Sequence, residues 1–321
     1  IAHPGGHGGR GGIDGHDAHS DRARQGSPTH FVHGGQQLAL FNTHAGGHCF
    51  QPVMIFEGNS GKPIAAILRP GKRPSGEEVA RVLRHVIHRI RKRWRKVRIL
   101  VRGDSHYCAP EVLDLLRKLA CDYILGLAIN PTLDKMAEPW RQRCLERWCP
   151  GRPVRRFHQF KYAAGSWSRR EKVIARVEAT DIGRDARFIV TNLPGRAKTL
   201  YEQVYCARGR MENMIKDMKL YTRSDKTACS RWQANQFRLF LHQGAYWLLH
   251  RLRGAAPKRS RWRGATFETI RRTFQLAARM KQHSLRATAE AYLATCSRAA
   301  PPASPTRPFN FQIGRCLCSR R

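Results

Sequence analysis

Between Val97 and Leu127 the chain reads strand, helix, strand. VRILVRG is a β-rich run ending at Asp104, Pro110 to Leu119 has helical spacing, and Tyr123 to Leu127 is apolar again. A helix joining two short strands is a crossover, and crossover-linked strands lie parallel in one sheet, so the class is α/β. Upstream, Leu38 to Asn42, Cys49 to Phe56 and Pro63 to Arg69 are three apolar runs separated by Gly-rich turns, the pattern of a β-meander. Ser75 and Glu78 form a capping box ahead of Val79, Val82, Leu83, Val86, Ile87 and Ile90, which recur at helical spacing. Downstream come helical residues over 132–147 and β-runs at about 154–163, 171–179 and 187–192, read as an antiparallel insertion spanning about 150–195. Helical periodicity follows over 198–220, 232–252 and 266–280. No repeating period is present, which argues against a solenoid.

Charge narrows the partner. Lys and Arg total 59 against 23 Asp and Glu in 321 residues, a formal net charge of +36, and arginine predominates. Its planar fork suits bidentate phosphate contacts, so nucleic acid is the leading partner. The first long helix carries Arg81, Arg84, His88, Arg91, Lys92 and Arg95 opposite its apolar face, either a solvated surface or a phosphate contact. Arg251, Arg253, Lys258, Arg259, Arg261 and Arg263 form a second basic stretch. Trp232, Phe237, Phe240, Tyr246 and Trp247 read as core packing ahead of base stacking.

No run of 18 apolar residues occurs and the N-terminus has no apolar leader, so a membrane partner is not expected and the cytoplasm is. The ten cysteines lack the paired spacing of a zinc site and read as reduced thiols. Residues 1–32, rich in Gly, His and Arg, and residues 284–321, rich in Pro, Ser and Arg, read as disordered ends flanking a domain over 33–283. The N-terminal histidines are a minor candidate for metal binding. The chain starts at Ile1 and its first methionine is Met54, which reads as a truncated or frameshifted copy.

Two acidic positions draw attention. Asp104 stands where a buried strand gives way to a loop, a place open α/β sheets use for functional groups, although an aspartate there also serves as a turn or helix cap. Glu212 shares a helix with Tyr205, Arg208 and Lys219, and at the spacing of a regular α-helix the four fall within an arc of about 60°. Such a stripe is equally an exposed salt-bridged face, since Arg208 and Glu212 are an i, i+4 pair. Should Asp104 and Glu212 converge, they provide hard oxygen ligands for Mg²⁺ or Mn²⁺, which implies phosphodiester chemistry.

The series Tyr205, Arg208, Glu212, Lys219 resembles the Y-R-E-K signature of bacterial DDE insertion-sequence transposases of the IS-four superfamily. HGGQQLALFN (33–42), ILRPGKRPSGEE (67–78), RGDSHY (102–107) and ENMIKDMK (212–219) look most like its 1380 family. The resemblance covers about residues 33 to 280. It implies a ribonuclease-H-like fold, a mixed sheet with flanking helices, an antiparallel β insertion and C-terminal helices. It also implies a homo-oligomer on DNA that uses two metal ions to cleave at transposon ends and transfer the strand to a target. By carry-over Asp104 and Glu212 are catalytic metal ligands, and Tyr205, Arg208 and Lys219, with the neighbouring Arg210 and Lys216, contact DNA.

One part of the pattern is missing. The family's first catalytic aspartate lies in a D-x-D-D-T-like stretch shortly before the HG that matches His33–Gly34, but Arg24 to His30 contain no carboxylate. Asp14, Asp17 and Asp21 lie too far upstream for that strand. The site reads as one ligand short and its catalysis as impaired. Two rivals stay open: a basic DNA-binding remnant that does not cut, and a nuclease of the same fold that cuts without strand transfer.

Overall fold

The structure is a computed structural model that describes residues 30–32, 34–43, 45–280 and 309–314. The expectations for 1–29 and for 284–308, including Asp14, Asp17, Asp21 and the N-terminal histidines, lie outside the described residues.

Eleven strands are described. β1 (His30–Phe31), β2 (Leu40–Asn42) and β3 (Gly47–Phe50) make a small antiparallel sheet in the order β1-β3-β2. β4 (Val53–Glu57) and β5 (Pro63–Ile67) then start the large sheet, and a turn leads into α1 (Gly76–Arg93). The Ser75 hydroxyl accepts from the Glu78 N–H while the Glu78 carboxylate accepts from the Ser75 N–H, so the capping box forms as read. β6 (Ile99–Gly103), α2 (Pro110–Lys118) and β7 (Asp122–Leu127) form the crossover unit, with β6 and β7 parallel. α3 (Pro131–Leu145) leads to β8 (Val154–Tyr162), β9 (Glu171–Thr180) and β10 (Gly183–Thr191).

The last three strands pair antiparallel with one another, as expected, and continue the large sheet. β10 pairs antiparallel with β7, so they extend the same sheet, whose full order is β5-β4-β11-β6-β7-β10-β9-β8. β11 (Phe309–Gly314) comes from the C-terminal stretch read as disordered. It lies antiparallel to β4 and parallel to β6, between them. That expectation is corrected for these six residues: composition registers the surrounding Pro and Arg, but a strand's stability comes from the two neighbours it pairs with, and both are distant in sequence.

Helices cover both faces. On one, Ile55, Val101, Tyr123, Leu125, Val173 and Val190 pack with Leu83 and Ile87 of α1, Val112 and Leu116 of α2 and Leu133 of α3. On the other, Leu100, Ile124, Ile174 and Ile189 meet Leu200 and Tyr201, while Met54 and Phe56 meet Met211, Ile215 and Met218. This second face is completed by α5 (Trp232–Ala255) and α6 (Phe267–Met280), through Leu239, Tyr246 and Phe267. α5 also serves the outer edge of the sheet. Gln236 accepts from the Leu68 N–H at 2.6 Å and donates to the Ala66 carbonyl at 3.1 Å, and the Trp247 indole donates to the Pro63 carbonyl at 3.1 Å. Of the aromatic residues read as core, Tyr246 is buried, but Phe237 and Phe240 are exposed on the far side of α5.

A charged network ties β9 to β7 and α2 within this frame. The buried Glu171 carboxylate accepts from the Tyr123 hydroxyl at 2.7 Å and from the Arg117 guanidinium, which also reaches Asp114 and Ser168. Removing the carboxylate strands a guanidinium and a phenol that have little access to water. Glu171→Ala is therefore expected to lower unfolding free energy by about 3 kcal/mol, read by urea denaturation, and a loss below about 1 kcal/mol contradicts the buried-pair account.

Candidate active site

β6 ends by delivering Asp104 into a single 3₁₀ turn, Ser105–Tyr107. Asp104 is buried, and its Oδ1 accepts from the His106 N–H at 2.9 Å with His106 Nδ1 at 3.4 Å. The cap role is thus real. The rest of the aspartate's surroundings go beyond it, because the side of Asp104 toward β7 is closed by Tyr205. A methyl group built on Gly126 of β7 would meet the Tyr205 hydroxyl at 2.7 Å, the Ser105 amide nitrogen at 2.8 Å and the Asp104 carbonyl carbon at 3.1 Å. Only glycine lets these three approach. Burial raises the Tyr205 phenol above its ordinary value; Arg208 opposes this and Asp104 adds to it.

The helix bearing Tyr205 is not regular. After one α turn at Ala197–Thr199, residues Leu200–Tyr205 are π-helical and Cys206–Arg208 are 3₁₀; α4 (Gly209–Lys216) is α-helical, and Asp217–Tyr221 are again π-helical. Changes of helix type shift the hydrogen-bond partner of each carbonyl and leave some in need of another donor. Two side chains from the middle of the sheet supply it. Arg102 of β6 donates Nη1–H to the Val204 carbonyl at 3.0 Å, and Gln312 of β11 donates Nε2–H to the Arg208 carbonyl at 2.5 Å. Both side chains are buried and lie beside each other in register. Sequence reading passed over both, Gln312 because its segment read as disordered and Arg102 because it looked like one cation among many.

The expected stripe is also broken. Tyr205 and Arg208 sit together, the guanidinium 5.6 Å from the phenol ring centroid. Arg210, Glu212 and Lys216 are exposed, but Lys219 is turned inward and buried, close enough to His30 to depress its proton affinity. Lys219 stands four residues after the buried Ile215 and next to the buried Met218, so it falls on the covered face of the segment. Lys219 is therefore corrected from a DNA-facing residue to an interior one.

Tyr205 and Arg208 line a cleft of 380 Å³ with Ser105, Gly126, Tyr201, Arg176 and Arg187. The cleft is open and cationic, with aromatic rings on its floor: Tyr201 and Tyr205 are 5.5 Å apart, and Arg176 lies 5.7 Å from the Tyr201 ring. Such a surface accepts a phosphate-bearing strand. Glu212 projects from the part of the helical segment that packs over β11 and β4, whereas the stretch carrying Tyr205 packs on β7. Among the described residues, no group of three His, Cys, Asp or Glu is placed to hold a metal ion. With Asp104 Oδ1 engaged by its own turn and Glu212 facing outward, the donor set does not fit a complete two-metal centre.

The other basic segments divide in the same way. Arg91 is committed to the end of α2, where it donates to the Leu119 and Ala120 carbonyls, while Arg81, Arg84, His88 and Lys92 stay exposed. Arg253 lies over the Phe267 ring at 4.5 Å and Arg263 bonds to the Gly254 carbonyl, while Arg251, Lys258, Arg259 and Arg261 are exposed.

Two predictions follow from this geometry. Gly126→Ala should cost about 1–3 kcal/mol in urea denaturation, with partial recovery in Gly126→Ala/Tyr205→Phe, since that change relieves the hydroxyl clash but not the one with Ser105. Full recovery would show that the backbone contact is not limiting. The second concerns pH. Burial, with Lys219 and then His242 adding to it, pushes the His30 imidazole down from 6.5 to about 3. Between those values the unfolded chain holds a proton that the folded chain lacks, so this group makes stability fall as pH drops, by at most about 1.4 kcal/mol per unit. Asp217 opposes it over part of that window: burial raises its carboxyl from 3.8 to about 6, so its folded form takes the proton first and gains stability as pH falls through 6. In an Asp217→Asn background, His30→Phe should flatten the stability profile between pH 4 and 6.5, and an unchanged slope would mean that His30 is not the group responsible.

Comparison with known proteins bears on the whole arrangement. No curated protein sequence matches the chain. A family model described as Transposase DDE domain group 1 matches residues 27–297, which takes in the Asp104 turn and the entire helical segment from Leu200 to Tyr221 and stops short of β11. With this match over most of its length, the chain belongs to the DDE transposase family, group 1.

Proposed function

We infer that the chain is a DNA transposase domain of the IS-four superfamily, nearest the 1380 family by its motifs. It works on double-stranded DNA as a homo-oligomer in the bacterial cytoplasm, associated with the nucleoid. DDE transposases transfer phosphoryl groups, typically with a divalent metal. The reaction assigned here is hydrolysis at a transposon end followed by attack of the freed 3′ hydroxyl on target DNA. Asp104 and Glu212 are the acidic residues of the assignment, and Arg208, Arg210 and Lys216 hold the DNA backbone, with Tyr205 beside the scissile strand. The observation that carries this reading is the pairing of Tyr205 with Arg208 at a cleft also lined by Arg176 and Arg187, with Asp104 near enough behind it to act on the Tyr205 phenol.

One observation favours a second reading, a DNA-binding remnant with impaired cutting: among the described residues no group of three His, Cys, Asp or Glu is placed to hold a metal ion, and the strand next to β6 offers the neutral amide of Gln312. Binding and chemistry separate the two. Affinity for duplex DNA should fall steeply with salt, and Arg208→Ala, Arg210→Ala and Lys216→Ala should each reduce the log–log salt slope by about 1, while Lys219→Ala lowers stability and leaves the slope alone. A salt-insensitive affinity sinks the DNA reading. Nicking of DNA carrying element ends in Mg²⁺ should be slow and abolished by Asp104→Ala; rapid nicking that survives this substitution overturns the catalytic assignment.

A further inference from the structure

The strands of the large sheet form two blocks that are hydrogen-bonded together only through β11 among the described residues. β5 and β4 form one, β6-β7-β10-β9-β8 the other, and no strand of the first pairs with a strand of the second. Every residue of β4 and β6 is buried. With β11 in place, the two rows of main-chain N–H and C=O groups that face each other across the channel between them are shut off from water, and each group left unpaired there is costly. Among the described residues β11 alone meets this demand, antiparallel to β4 over Phe311–Gly314 and parallel to β6 over Phe309–Gln312.

β11 is also tethered differently from the rest. The other ten strands follow one another through turns or single helices, but β11 is reached from Met280 only across residues 281–308. Twenty-eight residues of chain between the two set a finite effective concentration of the chain's own end at the channel, and the same segment of a neighbouring molecule competes for the place. We propose that the channel between β4 and β6 is a strand-acceptor site whose occupant is residues 309–314, exchangeable with the corresponding segment of a second copy of this chain.

Recognition in such a site has two parts. The ladders give affinity for any extended segment, and a side-chain contact gives selectivity. Here that contact is Gln312: fully buried, it donates to the Arg208 carbonyl at 2.5 Å and stands in register with Arg102, and Gln312 Oε1 and Arg102 Nε and Nη2 have no hydrogen-bond partner. The channel therefore reads an amide at this position and retains unused donors and an acceptor beside it. The occupant also fixes the helical segment over Asp104, so strand exchange links two copies through their candidate sites. None of this depends on DNA binding or on catalysis.

The test uses the full chain. A fluorescently labelled peptide of residues 308–314 should bind it by anisotropy, and bind about tenfold more tightly to the Phe311→Pro variant, whose own strand cannot complete the ladder. A peptide carrying Gln312→Leu should bind about tenfold more weakly, the size of one lost buried hydrogen bond. Hydrogen exchange on the unmodified chain needs no variant to fold: amides of 309–314 and the facing amides of β4 and β6 should exchange together and faster than those of β9 and β10. Absence of peptide binding to both proteins, equal binding of the two peptides, or exchange in 309–314 as slow as in β9 would each overturn the proposal.

Discussion

A guanidinium in the middle of a sheet has to be answered by acceptors, and at Arg102 the acceptor is a helix backbone. Burial, and then the neighbouring Arg210, lower the proton affinity of Arg102 from its ordinary value, with Glu57 opposing them. The side chain is tolerated because Val204 offers a carbonyl left over by an irregular helix. The dependence runs both ways. Without a donor rising from the sheet, a segment that passes from π to 3₁₀ to α would carry unmet carbonyls against an apolar face, and it would be expected to rewind as a plain α-helix. Rewinding would carry Tyr205 and Arg208 away from Asp104. The cleft is thus set by one cation in β6 and one amide in β11.

Much of this arrangement was legible before any coordinates. The β6–α2–β7 crossover, the capping box of α1 and the place of Asp104 at the end of a buried strand all follow from local patterns, whose physical causes act within a few residues of each other. Lys219 lies inward with Ile215, four residues before it, because of what packs on that face, and the phase of a charged stripe alone does not show which of its positions is covered. β11 was missed for a different reason. Phe309 to Gly314 owe their conformation to β4 and β6, some two hundred residues away or more, and their surroundings in sequence are those of a loose tail. The strands at 154–163, 171–179 and 187–192 were found, but their joining to β7 was not, since register between distant strands leaves no trace in either one alone.

The basic residues show a comparable division. An excess of arginine reads as a polyanion-binding surface, yet Arg69, Arg91, Arg102, Arg117 and Arg263 spend their donors inside the protein on carbonyls and carboxylates. Five donors in a rigid fork make arginine as useful for closing helix ends as for gripping phosphate. Net charge therefore overstates the cationic surface. What faces outward is concentrated on α1, around the Tyr205 cleft and along the stretch from Arg251 to Arg261, and it is this geography rather than the sum that bears on nucleic acid.

The covering of β5 by Gln236 and Trp247 has a consequence for how the molecule behaves in company. A bare outer strand is a template on which another polypeptide can crystallise into fibrous aggregates, and those two side chains occupy main-chain groups that such growth would use. Among the described residues the opposite margin, β8, has no comparable cover, but its exposed Arg156 and Lys161 place like charge along it, which discourages stacking. Both margins are guarded, one by plugging and one by like charge, and a chain this rich in paired strands can remain dispersed at the concentrations that assembly on a long polyanion would create.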